Sequence, residues 1–206
     1  MKIAKENGVY FLSWGCPWPP RSGGDLRTLG LMKEISRKFK INIVVLLLKP
    51  LENNQVNFLR RYANKIYTLP LYDIDNMYAK IIVRMIKDRV PYHCALLRVL
   101  FEAYPSVLKQ LSETKQVIYA SYGHWGTICQ GYNKNNWILD QHNADIDFWR
   151  VYSNQNDDML KRIAARINWV FARTHFPKVY RSVAKIVSVC EEDKLITLKY
   201  CPNKEV

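Results

Sequence analysis

The sequence has no long hydrophobic run. Its longest uninterrupted apolar stretch, residues 43–48, has the length of a strand, whereas a membrane-spanning helix needs roughly 18 apolar residues or more. The first seven residues contain neither an extended apolar segment nor a cleavage site of small residues, which argues against a secretory signal peptide. We therefore expect a cytoplasmic protein.

Paired cysteines are also absent. The five cysteines are scattered and odd in number, and no two have the Cys-x-x-Cys spacing of metal sites: Cys16, Cys94, Cys129, Cys190 and Cys201. This distribution favours neither a zinc site nor a disulfide framework. We expect reduced, mostly buried cysteines and no bound metal.

Acidic residues are scarce relative to basic ones, with 18 Asp and Glu against 31 Lys and Arg, a net charge of +13. Such an excess favours anionic partners such as phosphates, nucleic acids or acidic lipid headgroups. It is equally compatible with a basic surface that faces only water. Because the basic residues are spread over all segments and no nucleic-acid motif occurs, no nucleic-acid partner is expected.

Short apolar runs alternate with longer amphipathic ones along the whole chain, which is typical of a parallel sheet with crossover helices. The sequence thus predicts one α/β domain over residues 1–206. Its fold is Rossmann-like and doubly wound, with a mainly parallel sheet and helices on both faces. The predicted strands are residues 9–13, 41–48, 65–69, 116–120, 136–140 and 185–189.

Helical periodicity and proline positions divide the remaining chain. Residues 25–39 and 53–63 each predict one helix. Two more are expected between residues 76 and 111, with breaks near Pro91 and Pro105. A long helical region follows at residues 145–180, with a break at Pro177, and a last helix starts near Glu191.

Two adjacent glycines, Gly23 and Gly24, close the loop after the first strand and open a helix. Glycine permits close approach of a ligand, and helix amides favour an anion such as diphosphate. The spacing is not Gly-x-Gly-x-x-Gly, and no acidic residue ends the second strand, so neither a dinucleotide nor another cofactor is expected. Alternatively, the glycines only form a turn and Asp25 caps the helix.

A second group of polar residues, Asp140, His142 and Asn143, follows the fifth strand. Ligands of open α/β sheets lie beyond the carboxyl ends of the strands. His142 there can bind a hydroxyl or stabilise developing charge. The alternative is a loop histidine with purely structural contacts, with Asn143 or Asp145 capping the next helix.

These places together resemble the N-terminal half of glycosyltransferase family 4, which comprises retaining enzymes of the GT-B fold. The segments that carry the resemblance are residues 17–27 (PWPPRSGGDLR), 139–143 (LDQHN) and 186–193 (IVSVCEED). In the last segment Cys190 stands where the family commonly has Ser or Thr. The resemblance implies transfer of a sugar from a nucleotide-sugar donor to an acceptor.

The resemblance also implies roles for the residues of the first two segments. Gly23 and Gly24 would lie beside the donor diphosphate. His142 would be the catalytic residue, near the transferred sugar or the acceptor. Asp140 and Asn143 would support it.

Three further residues, Tyr122, Gly123 and His124, fall where the resemblance implies the acceptor pocket. Arg27 either faces only solvent or corresponds to a basic residue that the family often has nearby. The chain departs from the family at residues 173–177 (RTHFP), where relatives have an acidic residue after an aromatic one.

Members of the family continue into a second Rossmann domain that holds most contacts to the nucleotide sugar. That donor-binding domain is expected to be absent from residues 1–206, which would leave an acceptor-side domain that is inactive alone. The implied partners are a nucleotide-sugar donor, through a missing or separate domain, and a glycan or lipid acceptor. The alternative is a non-catalytic module that binds an anionic lipid or glycan.

Residues 76–90 predict a basic amphipathic helix, with Lys80, Arg84 and Lys87 aligned on one side. Such a helix can lie on an anionic membrane, which would make the protein peripheral on the inner face. Alternatively, it packs its apolar face on the sheet and keeps its basic face in water. The apolar residues that share a face are Tyr78, Ile81, Ile82, Met85 and Ile86.

Overall fold

Six parallel strands form the centre of the protein in the computed structural model, which describes residues 8–129, 136–155 and 157–206. Within these residues the strand order is β3-β2-β1-β4-β5-β6, and every pairing is parallel. The predicted α/β, Rossmann-like doubly wound class is thereby confirmed. The strands are β1 Gly8–Ser13, β2 Lys40–Leu47, β3 Ala63–Pro70, β4 Val117–Ser121, β5 Trp137–Gln141 and β6 Lys185–Ser188.

Helices cover both faces of this sheet, and a 3-10 turn, Gly123–Trp125, precedes the shortest of them. Within the described ranges none combines the length and the apolarity that crossing a bilayer requires. The helices are α1 Gly23–Lys38, α2 Asn53–Arg60, α3 Met77–Asp88, α4 Tyr92–Ala103, α5 Pro105–Glu113, α6 Gly126–Cys129, α7 Asp145–Gln155, α8 Met159–Ser182 and α9 Glu191–Tyr200.

The alternation of side chains along the strands builds two cores. Phe11 of β1 packs with residues of α1 and α2 on one face of the sheet. Leu12, its neighbour, joins the larger core with α3, α4 and α8 on the other face. Because both faces are covered, the strands are apolar on both sides, as is typical of parallel sheets.

Prolines define the helices between β3 and β4, where the structure contains three helices instead of two. Pro91 is the residue before α4, and Pro105 is the first residue of α5. Proline fits these places because a first-turn residue needs no N–H donor. Both predicted breaks are therefore real, and each starts a new helix.

The predicted break at Pro177 is wrong, since Pro177 lies inside α8. An interior proline costs about 3 kcal/mol, but its neighbours Phe176, Val179 and Tyr180 are fully buried. Each such side chain contributes roughly 1.5–3 kcal/mol, so their packing outweighs the lost hydrogen bond. The long helical region divides earlier, where Asp158 caps α8 by accepting the N–H groups of Leu160 and Lys161.

Candidate functional site

The strand order reverses between β1 and β4, and in doubly wound sheets such a switch point opens a crevice at the carboxyl ends of the strands. Ligands of doubly wound sheets bind in such a crevice. The loops that follow β1, β4 and β5 all end here, because Leu12 pairs with Ala120 and Ser121 pairs with Asp140. The topology thus collects the polar residues that the sequence analysis singled out.

The two glycines of the first loop are the first residues of α1. Ser22 is the cap: its Oγ accepts the N–H of Asp25 at 3.1 Å. The carboxylate of Asp25 turns back and accepts the N–H of Arg21 at 2.9 Å, so Asp25 is not the cap that one interpretation made it. The amides of Gly23 and Gly24, which have no carbonyl of the preceding turn to pair with, remain for a ligand.

Gly24 lies in contact with two residues from other strand ends. A β-carbon on Gly24 would stand 2.5 Å from Oη of Tyr122 and 2.9 Å from Nδ1 of His142. At Gly23, by contrast, nothing lies within 4 Å of such a carbon. Gly24 therefore makes room for protein side chains, and Gly23 faces open space.

One ring nitrogen of His142 contacts polar side chains, and the other has no hydrogen-bond partner among the described residues. Its Nε2 lies 3.1 Å from Oγ of Ser121 and 3.3 Å from Oδ2 of Asp140. Only 5% of the side chain is exposed, and Nδ1 has no hydrogen-bond partner in the described part of the chain. A buried polar atom without a partner is costly, which marks Nδ1 as a position for a ligand group.

Asp140 is fully buried, and the guanidinium of Arg27 binds both of its carboxylate oxygens. The Arg27 Nε lies 3.1 and 3.0 Å from the two carboxylate oxygens, and Nη2 lies 2.6 Å from Oδ1. Arg27 thus binds Asp140 rather than simply facing solvent. Burial alone would raise the pKa of Asp140, but hydrogen bonds from His142 and Arg27 hold it below its ordinary value. The carboxylate stays charged and supports the imidazole.

Tyr122 lies between two histidines. Its ring stacks on His142 at 4.0 Å and on His124 at 5.9 Å between centroids. Its φ of 98° is unusual for a residue with a side chain, and such strain costs about 1–3 kcal/mol. The bond from its N–H to the carbonyl of Asp140, 2.9 Å long, helps to hold this conformation.

A second imidazole–carboxylate pair lies on the other side of Tyr122. His124 Nδ1 is 3.2 Å from Oδ1 of Asp145, which is 8% exposed. Gly123 is required for this arrangement, because a β-carbon there would collide with the Asp145 carboxylate. The predicted acceptor residues therefore form one continuous group with the predicted catalytic histidine.

The third segment of the resemblance reaches the same corner. Asp193 Oδ1 accepts the N–H of Ala144 at 2.8 Å. Gln141 Oε1 accepts hydrogen bonds from Ser188 and Thr197 at 3.3 and 2.9 Å. Hydrogen bonds from β6 and α9 thus fix the turn that carries His142. The neighbouring Asn143 is exposed.

Comparisons of the chain with protein-family models, with curated proteins and with solved structures gave no match. The described residues contain no group of three or more His, Cys, Asp or Glu side chains that could hold a metal ion.

Sequence reasoning missed an aromatic group beside His124. Trp14 meets the rings of His93 and His124 edge-on at 5.4 and 5.2 Å, and His93 lies 5.5 Å from Trp149. Burial, with a smaller contribution from the charge of His124, lowers the pKa of His93 to about 3. These residues come from the loop after β1, from α4 and from α7, so no local spacing signals them.

The arrangement suits positioning and electrostatic stabilisation better than covalent catalysis. Asp140 is bound by Arg27 and His142, and Asp145 by His124 and by the Tyr180 hydroxyl at 3.4 Å. Neither carboxylate is free to act as a nucleophile. The first turn of α1 and the buried, unpartnered Nδ1 of His142 lie side by side here, next to the aromatic surface.

Proposed function

We propose that this chain is the acceptor-side domain of a retaining glycosyltransferase that uses a nucleotide-sugar donor. One observation carries the proposal: the first turn of α1 and the unpartnered Nδ1 of His142 lie together at the switch point of the sheet. The proposal includes a donor-binding domain, on the same polypeptide or on a partner, because the resemblance implies that such a domain makes most contacts to the nucleotide sugar.

The amides of Gly23 and Gly24 would stabilise the leaving diphosphate. A helix N-terminus carries about half a positive charge, and preorganised N–H donors stabilise charge that develops in the transition state. The open space at Gly23 lets an oxygen approach the backbone closely. The nearby Asp25 carboxylate is turned toward Arg21 and so does not occupy this space.

His142 would hold the transferred sugar or the acceptor hydroxyl through Nδ1. Asp140 fixes the ring at Nε2, so that the ring cannot turn away when the ligand binds. Tyr122 and His124 would form one wall for the acceptor, next to Trp14. In this mechanism the protein supplies proximity and electrostatic stabilisation, and no residue forms a covalent intermediate.

The experiment is to isolate the protein from its own host together with any chain that accompanies it. The preparation is assayed for transfer from radiolabelled nucleotide sugars to endogenous acceptors. We expect transfer, and we expect His142→Ala to lower it about 100-fold, as for loss of one stabilising group. Glu113→Gln, an exposed change on α5, is the control and should leave transfer unchanged.

Two results would overturn the proposal. One is a preparation that transfers sugar from none of the nucleotide sugars, although mass spectrometry shows its polypeptides to be intact. The other is full activity of a folded His142→Ala protein. Urea unfolding of the variant separates loss of function from loss of structure.

A second candidate, an anionic-lipid-binding role, is favoured by the surface of α3. Ile81 and Met85 are the buried residues of α3, and Met77 packs partly against the same core. Four large apolar side chains are 45–71% exposed: Tyr78, Ile82, Val83 and Ile86. The alternative in which the apolar face packs on the protein therefore holds for Ile81 and Met85, and it does not hold for Tyr78, Ile82 and Ile86.

The exposed apolar side chains on α3 lie beside two basic ones. Successive residues of a helix are rotated by about 100°. Lys80 and Lys87 therefore lie next to the exposed apolar stripe, on the side opposite Ile81 and Met85. Neither lysine forms an ion pair among the described residues. Arg84, by contrast, pairs with Asp88 and Glu102. An apolar stripe with flanking lysines matches a helix that lies on an anionic bilayer, so this candidate places the chain peripherally on the cytoplasmic face.

A further inference from the structure

A cleft opens near the N-terminus of α1, between the loops that follow β1 and β2. Its volume is about 440 Å³, within the range of roughly 300–1,000 Å³ typical of small-molecule sites. It lies at the carboxyl edge of the sheet, where ligands bind in this fold. It adjoins the group around His142 through Trp14, whose ring contacts His124. The lining residues that could recognise a ligand are Arg21, Asp25, Leu46, Leu48, Lys49 and Leu51.

One wall of the cleft is aliphatic. Leu46 is buried at its base, Leu51 is half-buried, and Leu48 is 71% exposed. Leu48 directly follows β2, whose last seven residues are all buried. A ligand with an aliphatic chain would cover these side chains and remove apolar surface from water, which favours binding.

The other side of the cleft is basic. Arg21 and Lys49 both line it. Asp25 is the acidic residue among the lining side chains, and its carboxylate already accepts the N–H of Arg21. Lys49 Nζ lies 4.0 Å from the Glu52 carboxylate, and both side chains are more than half exposed. Since such exposed contacts are weak, Lys49 remains available to an anion.

We propose that this cleft binds a lipid phosphate, with the aliphatic chain along Leu46, Leu48 and Leu51 and the phosphate at Arg21 and Lys49. An aliphatic wall next to two cations matches an amphiphile with an anionic head, and it does not match a free sugar. Arg21 immediately precedes Ser22, the cap of α1, so the basic side of the cleft lies next to the first turn of that helix. Under the proposed function this amphiphile is the acceptor, and only that assignment rests on the glycosyltransferase proposal.

The test is calorimetric titration of the full chain with decyl phosphate below its critical micelle concentration. Decanol and inorganic phosphate are titrated separately. We expect decyl phosphate to bind at least tenfold more tightly than either, because each of them carries only half of the recognised chemistry. Lys49→Gln should weaken binding about tenfold, the usual effect of losing a charged hydrogen bond, and Leu48→Ser should weaken it as well.

Two matched controls exclude general effects of charge and apolar surface. Lys109→Gln removes an equally exposed lysine on α5, and Leu195→Ser removes a 59% exposed leucine on α9. Both should bind decyl phosphate as the wild type does. The proposal is overturned if inorganic phosphate binds equally well, if decanol does, or if Lys49→Gln and Leu48→Ser change nothing.

This result is independent of the transferase assay. Decyl phosphate binding without any sugar transfer would leave a lipid-phosphate site and remove its role as acceptor. Sugar transfer without decyl phosphate binding would leave the proposed function standing and refute this inference.

Discussion

The Nδ1 atom of His142 lies 2.9 Å from the point where a β-carbon on Gly24 would stand. This contact joins the first turn of α1 to the turn after β5, two segments that are far apart in the sequence. It also divides the roles of the two glycines. Gly24 leaves space for an imidazole and a phenol, and Gly23 leaves its own space open for a ligand.

A pair of alanine substitutions tests that division. Gly24→Ala should destabilise the protein by about 1–3 kcal/mol, the usual cost of overpacking, because Tyr122 and His142 must move. Gly23→Ala should change the free energy of unfolding by less than about 1 kcal/mol, since its new carbon meets nothing within 4 Å. Urea denaturation of both variants measures the two values.

The two glycines occupy neighbouring positions in the first turn of the same helix, so helix propensity affects both variants alike. Equal effects of the two substitutions would show that the contact with His142 has no energetic weight. A larger effect at Gly23 than at Gly24 would contradict the arrangement outright.

The fold could be predicted from the sequence because each strand is a short apolar run, whereas the helical segments carry apolar residues at helical spacing. All six predicted strands match observed ones to within two residues at either end. The α8 region failed because burial of Phe176 and Tyr180 outweighs the cost of Pro177, and sequence does not reveal that packing. Propensity rules describe isolated segments, whereas tertiary contacts decide such conflicts.

The site was predictable only in part, and for a similar reason. Asp140, His142 and the glycines follow strands, so the topology of a parallel sheet brings them to one edge. Arg27 and Asp145 carry no such signal, because each joins the site through a side chain that reaches across from a helix. Their partners became evident only when the helices were in place.

The ion pair between Arg27 and Asp140 should contribute far more to the free energy of unfolding than an ion pair on the surface does. Arg27→Met leaves a fully buried carboxylate without its main counterion, and we expect a loss of about 3 kcal/mol, the low end for broken buried pairs. Arg37→Met breaks a pair with Glu34 whose side chains are 71% and 64% exposed, and should cost less than about 1 kcal/mol.

The same pair predicts a pH dependence. The folded pKa of Asp140 lies below its ordinary value, so its contribution is fully present above the unfolded pKa of about 3.9 and is lost as pH falls through the folded value. The stability difference between wild type and Arg27→Met should therefore narrow on acidification below about pH 4. A constant difference from pH 7 to pH 3 would contradict the ionised, paired state of Asp140.

His175 predicts a loss of stability at mildly acidic pH. It is buried against Thr127, whose Oγ1 lies 2.9 Å from Nε2, and burial, helped by the charges of Arg98 and Lys178, lowers its pKa to about 3. Only the unfolded chain then protonates this histidine as pH falls below about 6.5, which costs about 2 kcal/mol of stability at pH 5.

The variant His175→Gln removes this proton linkage. Its own stability at pH 7 will fall through altered packing, so the quantity to compare is the change in unfolding free energy between pH 7 and pH 5. That change should be about 2 kcal/mol smaller in His175→Gln than in the wild type. Equal changes in the two proteins would show that His175 is not held neutral in the folded state.

The exposed stripe on α3 predicts binding to vesicles that contain anionic lipid. We expect the chain to sediment with vesicles of equal parts phosphatidylglycerol and phosphatidylcholine, and not with phosphatidylcholine alone. Lys80→Gln combined with Lys87→Gln should weaken binding about 30-fold, since each lysine near such a surface contributes about 1 kcal/mol. Ile82→Ser combined with Ile86→Ser should weaken it by removing the apolar contact.

Leu195→Ser is the matched control for these variants, because Leu195 is as exposed as Ile86 but lies on α9. Raising the salt concentration should weaken binding of the wild type and have less effect on the lysine double variant, because screening acts on the charges that this variant lacks. If neither pair of substitutions on α3 alters sedimentation, α3 is not the membrane contact. If the wild type ignores anionic vesicles altogether, the second candidate function fails and the stripe has no lipid role.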